Sequence, residues 1–147
     1  MSETVRQIMR SSDYALIQGF PGTGKSAMIS FVSRLLVALG IRVLLTAYTH
    51  SAVDNILLKL RSQGIASSAT DTSCPMVRIG QFGSCHPDTR EYLAANIAKR
   101  KDCGSDDGST YSPSAESLQA VMREARLVGA TALTIPRSPL IQHDNFD

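Results

Sequence analysis

The chain has 147 residues, 43% of them hydrophobic, which suits one compact α/β domain and leaves little room for a second. Its net charge of +2 does not by itself demand a nucleic-acid partner, yet before residue 70 only Glu3, Asp13 and Asp54 oppose Arg6, Arg10, Lys25, Arg34, Arg42, Lys59 and Arg61, a basic half suited to polyanions. No apolar run reaches the ~18 residues of a membrane span, and Met1-Ser2-Glu3 opens no signal peptide, so the expectation is an intracellular protein without a membrane partner.

Val5, Ile8 and Met9 have the spacing of a helix that ends near Ser11-Ser12. Tyr14-Ala15-Leu16-Ile17 then reads as a short buried strand. It leads into Gly19-Phe20-Pro21-Gly22-Thr23-Gly24-Lys25-Ser26, which fits G-x-x-x-x-G-K-[ST] at every fixed position, the pattern of a P-loop. Glycines let backbone N–H groups close around a phosphate chain, and the helix that follows aims its positive end at the same charge. Gly19, Pro21, Gly22, Thr23, Gly24, Lys25 and Ser26 are therefore the candidate nucleotide site. Lys25 is suited to the β- and γ-phosphates and the Ser26 hydroxyl to Mg²⁺, and these two are the candidate catalytic residues.

Ala27 to Leu39 reads as a helix in which only Ser30, Ser33 and Arg34 form a polar strip, so it is expected to be mostly buried. Gly40 stops it, and Ile41 to Thr46 reads as a second strand, completing a right-handed βαβ unit with Tyr14–Ile17. A polar turn follows, and a helix begins near Ser51 with Val53, Ile56, Leu57 and Leu60 on its apolar face. Thr49, His50 and Ser51 at its start suit either an ordinary N-cap or the holding of a nucleic-acid phosphate.

The P-loop followed by Thr46-Ala47-Tyr48-Thr49-His50-Ser51-Ala52-Val53-Asp54-Asn55 resembles motifs I and Ia of superfamily 1B helicases, and within them the eukaryotic DNA replication ATP-dependent helicase/nucleases. Arg78-Ile79-Gly80, His86-Pro87-Asp88-Thr89-Arg90 and Val128-Gly129-Ala130-Thr131-Ala132-Leu133 are similar to later stretches of the same family. The resemblance implies an α/β fold, a partial RecA-like P-loop domain over 1–147 with a mainly parallel sheet flanked by helices. It further implies ATP and Mg²⁺ as cofactors, single-stranded DNA as partner with RNA as a second candidate, and work in the nucleus. Thr49, His50, Ser51, Asn55 and Thr131 fall where the family's motifs meet nucleic acid. Ala132 and Thr134 depart from the family pattern beside the last of these.

Further along, Met76 to Ile79 reads as a strand and Pro87 to Lys101 as a helix ending in the basic cluster Lys99-Arg100-Lys101, a pattern commoner as a solvated helix end than as a DNA contact. Asp102 to Thr110 reads as a loop, Ser112 as an N-cap with Pro113 opening a helix over Ala115 to Ala125, and Arg126 to Thr134 as a strand. Pro136 and Pro139 break the next stretch and Phe146 is expected to open another strand. Cys74, Cys85, Cys103 and His86 lack the close pairs of a zinc site. In the resembled family the acidic Walker B motif lies just beyond Asp147, and a second RecA-like domain follows. The expectation is a chain that binds nucleotide but neither hydrolyses it efficiently nor unwinds DNA alone, the rival reading being a non-catalytic nucleotide- or nucleic-acid-binding module or a degenerate fragment.

Overall fold

Val43–Ala47 (β1), Met76–Ile79 (β2) and Leu127–Thr131 (β3) form an all-parallel sheet in the order β1-β3-β2. These elements come from a computed structural model that describes residues 2–65, 76–103, 112–142 and 146. Val43 and Met76 both pair with Leu127, so the three strands start level and their carboxyl ends share one edge. β3 is buried at every residue, as a central parallel strand covered on both faces must be.

Parallel strands need crossovers, and the helices supply them. His50–Ser62 (α3) leaves β1 and covers one face, where Val53, Leu57 and Leu60 pack with Leu45, Met76 and Leu127. Gly129 makes that approach possible: a Cβ there would stand 2.9 Å from Leu57 Cδ1 and 3.1 Å from Val53 Cγ1. Ala94–Cys103 (α4) and Ala115–Glu124 (α5) lie between β2 and β3 in sequence and cover the other face, with Ile97, Ala98, Val121 and Met122 against Val77, Val128 and Ala130. The side chains of β3 alternate between the two clusters with the two-residue period of a strand. Arg42 ties β1 to α5 by donating to the carbonyls of Ala125 and Met122 at 3.1 and 2.7 Å.

Ser2–Arg10 (α1) and Lys25–Ala38 (α2) precede this core. Gly40 ends α2 at φ +81°, with Ile41 N donating to Leu36 O and Gly40 N to Val37 O at 3.0 Å each, a Schellman closure. Two expectations fail here. Tyr14–Ile17 forms no strand, because no described strand offers it a ladder; Tyr14 and Leu16 are exposed while Ala15 and Ile17 are half covered. The expected βαβ unit through residues 14–46 is therefore absent, and the crossovers run through later elements. Nor is α2 mostly buried. The polar strip supplies its buried residues, Ser30 and Ser33, beside the half-buried Ile29 and Val37 that pack toward α3, whereas Phe31 is exposed. Small hydroxyl side chains let the helix sit close, and the Ser30 hydroxyl is satisfied by donating to Ser26 O at 2.8 Å.

Smaller corrections concern boundaries. The N-cap of α5 is Ser114, whose hydroxyl accepts from Ser117 N at 3.1 Å, and Ser112 and Pro113 lie outside the helix. Pro87–Tyr92 is a 3-10 segment capped by His86, and α4 begins only after it. β3 stops at Thr131 rather than Thr134 because the chain turns there, Thr134 N donating to Thr131 O at 2.9 Å. Pro136 falls within the 3-10 turn Ile135–Arg137, and Pro139 opens a short helix, Pro139–Gln142 (α6). Phe146 carries no strand and packs on the core with Arg42 over its ring at 5.1 Å. The loop expected over Asp102 to Thr110 lies outside the described residues from 104 onward, as does Cys74. No helix among the described residues is long and apolar enough to cross a membrane.

Candidate nucleotide and nucleic-acid sites

The glycine-rich loop has the backbone its sequence demands. Gly22 and Gly24 sit at φ +79° and +83°, in the left-handed region that side chains resist. Gly19 is held open by its neighbours, since a Cβ there would stand 2.8 Å from Lys25 Cγ and 3.1 Å from Thr23 Oγ1. The Thr23 hydroxyl donates to Phe20 O at 2.7 Å and pins the turn. Lys25 folds back over the loop, its ammonium donating to Gly19 O at 2.9 Å and Phe20 O at 2.6 Å. α2 starts with no side-chain cap and no acidic residue in its first turn, so its leading N–H groups and its dipole face outward uncompensated. Lys25 and Ser26 are both exposed at that end. A cavity of about 310 Å³ opens beside the loop, lined by Thr4 of α1 together with Gly19, Thr23, Gly24, Lys25 and Met28, and by no carboxylate among the described residues. A triphosphate fits this donor set: a cation, glycine N–H groups and a free helix end. Ser26 offers Mg²⁺ one neutral hydroxyl, and no group of three metal-ligating side chains occurs among the described residues.

A second cavity, of about 840 Å³, lies at the shared carboxyl edge of the sheet. It brings His50, just beyond β1, together with Thr131, the last residue of β3, and adds the exposed Tyr48 and Leu133. Thr131 is buried, its hydroxyl 2.7 Å from that of Thr134. The side chain of Thr49 is the N-cap of α3, accepting from Ala52 N at 3.2 Å, so the ordinary capping role holds for that residue. Ser51 and Asn55 are exposed, and being four residues apart they share one face of the first turns of α3 outside the cleft lining. Of the five candidate nucleic-acid residues, the cleft therefore gathers two.

Beneath His50 lies a network to which the sequence alone assigned no role. Arg78 of β2 is 0% exposed and donates through Nε to Asp54 Oδ1 at 2.8 Å, and through Nη1 to Ile79 O at 2.5 Å. Its Nη2 stands 3.1 Å from His50 Nδ1. The other Asp54 oxygen accepts from His86 N at 2.9 Å. The available signal was a lone Asp between Val53 and Ile56 on an apolar helix face and a lone Arg inside the strand Met76–Ile79. Opposite charges at two positions that must be buried imply each other.

Cys85 packs beside this pair, and burial pushes its thiol up in pKa, the Arg78 guanidinium opposing that shift. The basic cluster at the end of α4 is committed internally: Arg100 donates to Glu91 O and Lys101 pairs with Glu124. His86 uses its ring to accept from Asp88 N at 3.2 Å, a capping role.

Comparison with known proteins follows the same lines. Residues 2–145 match the AAA domain family AAA_11. The chain is similar to the DNA replication ATP-dependent helicase/nuclease DNA2 of Saccharomyces cerevisiae, 48% identical over 91 residues, which are 62% of this chain and 5% of that protein. It is 40% identical over 145 residues to the Mus musculus protein of the same name, covering 99% of this chain and 12% of the relative. The Arabidopsis thaliana helicase/nuclease JHS1 is 33% identical over 147 residues, 99% of this chain and 9% of that protein. The chain thus spans about an eighth or less of the length of these relatives.

Proposed function

Since this chain belongs to the AAA domain family, among the P-loop helicases related to the replication helicase/nucleases, we propose that it is the ATP-binding segment of a DNA helicase motor that tracks single-stranded DNA in the nucleus. The observation that carries the reading is the P-loop: two left-handed glycines, an ammonium folded back on the loop's own carbonyls and an uncapped helix end in one place. Lys25 exchanges the carbonyls of Gly19 and Phe20 for β- and γ-phosphate oxygens, which are better acceptors because they are charged. Gly22, Thr23 and Gly24 bring backbone N–H groups around the phosphates, and Ser26 supplies its hydroxyl to Mg²⁺. The ion, when bound, neutralises charge on the phosphates.

DNA is held at the carboxyl edge of the sheet, in the cleft that His50 and Thr131 share, with Thr49, Ser51 and Asn55 along the start of α3. Contacts of this kind address the phosphate backbone, as a motor that steps over every sequence requires. Residues 1–147 act as one partial RecA-like domain, and stepping and unwinding belong to a larger protein that supplies a second such domain. A P-loop ATPase also needs a carboxylate to hold Mg²⁺ and a group to position water. The cavity beside the loop is lined by no acidic residue among those described, and the reading adopted is that this chain alone binds ATP and turns it over very slowly.

Calorimetric titration with ATP and Mg²⁺ tests the reading. Wild type is expected to bind, and Lys25→Ala to weaken binding by about tenfold or more, the worth of a charged hydrogen bond. Unchanged affinity in the variant would sink the assignment. Robust phosphate release that disappears in Lys25→Ala would overturn the claim of slow turnover.

A further inference from the structure

We infer that the buried Asp54–Arg78 pair is a positioning device that presents His50 to the cleft as a neutral ring carrying its hydrogen on Nε2, making its contact with a nucleic-acid phosphate an uncharged hydrogen bond. The inference rests on the nucleic-acid reading of that cleft. It begins from donor and acceptor counting. A guanidinium donates and never accepts, so the 3.1 Å contact between Arg78 Nη2 and His50 Nδ1 requires Nδ1 to accept. The ring hydrogen then resides on Nε2. A doubly protonated ring would turn an N–H toward the N–H of a buried cation, which both repulsion and geometry oppose.

The arrangement is held rigidly. Arg78 has Asp54 on Nε and the carbonyl of Ile79 on Nη1, and Asp54 is itself fixed by His86 N. Arg78 is 0% and Asp54 2% exposed, so water does not compete for either group. Room for the fork depends on Gly80, where a Cβ would come within 3.2 Å of Arg78 Nη1. Arg78 reaches the imidazole from below, while the ring lines the cleft. Nε2 is its only other polar atom and has no hydrogen-bond partner among the described residues. Arg78 and Asp54 thus act through His50. The consequence for binding is particular: an uncharged donor holds a phosphate without displacing a condensed cation, so it adds affinity without adding to the salt dependence.

Two measurements on the full chain test this. The first is an imidazole ¹⁵N–¹H correlation spectrum at neutral pH, with His50 assigned through a His50→Asn variant. A single Nε2–H tautomer is expected in wild type and a tautomer mixture in Arg78→Lys, which keeps a cation for Asp54 but loses the fork. The second is anisotropy of a labelled oligothymidylate across a salt series. His50→Asn and Arg78→Lys are each expected to weaken binding about 3- to 10-fold, the double variant no more than either, with the salt slope unchanged. A slope lower by about one unit in His50→Asn would mean that the ring binds as a cation, overturning the inference. Unchanged affinity, or an Nδ1–H or doubly protonated ring in wild type, would overturn it as well. If wild type fails to bind the oligonucleotide, the nucleic-acid reading falls and the phosphate contact with it, while the spectrum still decides whether the pair sets the tautomer. Should Arg78→Lys not fold, the wild-type spectrum and the His50→Asn slope decide alone.

Discussion

A fully buried arginine persists only where its donors meet acceptors, and Arg78 has a carboxylate, main-chain carbonyls and a ring nitrogen around it. Removing it leaves the Asp54 carboxylate sealed from water with only His86 N as partner. Arg78→Ala is therefore expected to destabilise the fold by about 3–5 kcal/mol, the range for one half of a buried pair. The joint replacement Asp54→Leu with Arg78→Met should recover only part of that loss, because Ile79 O and His86 N also lose their partners. Urea denaturation midpoints measure both; a cost under about 1 kcal/mol for Arg78→Ala would mean that the pair is not sealed as described. The same residues mark a limit of sequence reading. Gly22, Gly24, Lys25 and Ser26 are legible as a P-loop because the motif is contiguous, and Gly22 and Gly24 take the left-handed backbone it asks for. Asp54 and Arg78 stand 24 positions apart, and only the packing of α3 over the sheet makes them one object.

At the scale of elements, what could be read was what depends on local pattern. The strands at 43–47, 76–79 and 127–131, the Gly40 stop and the start of α3 all follow from hydrophobic runs and caps. The strand expected at 14–17 depended on a partner, which no local pattern guarantees. The burial expected of α2 fails for a related reason. So many of its residues are apolar that its sequence does not say which side faces the core, and Ser30 and Ser33 face inward because α3 and β1 approach closely there. The two readings differ in a measurable way. If Ser33 faces the core, Ser33→Leu overpacks the contact with α3 and costs about 1–3 kcal/mol, whereas Phe31→Gln, on the exposed side, stays within about 0.5 kcal/mol. Thermal or urea denaturation with the opposite ranking would restore the buried-helix expectation.

Across the whole molecule, stability and ligand chemistry are unevenly distributed. The two apolar clusters draw their buried residues from α3, α4, α5, the three strands and the segments beside them, while α2 contributes only half-buried Ile29 and Val37 at their margin. Of the exposed large apolar residues among those described, Met9, Tyr14, Leu16, Phe20, Phe31 and Leu39 fall within the first 40 positions, against Tyr48, Phe82 and Leu133 in all that follows. The P-loop is thus mounted on the least buried part of the chain, and its ammonium rests on nearby carbonyls rather than on the core. Segments with few buried contacts open without global unfolding, at a free energy well below that of the packed strands. Native-state hydrogen exchange should therefore protect amides of β3 to the level of global unfolding and those of residues 15–38 much less. ATP with Mg²⁺ should slow exchange at the start of α2 by mass action, and it should do so in wild type but not in Lys25→Ala. Protection of α2 equal to that of β3 without nucleotide would mean that the helix belongs to the core after all. Slowing confined to the sheet edge near His50 would move the nucleotide away from the P-loop.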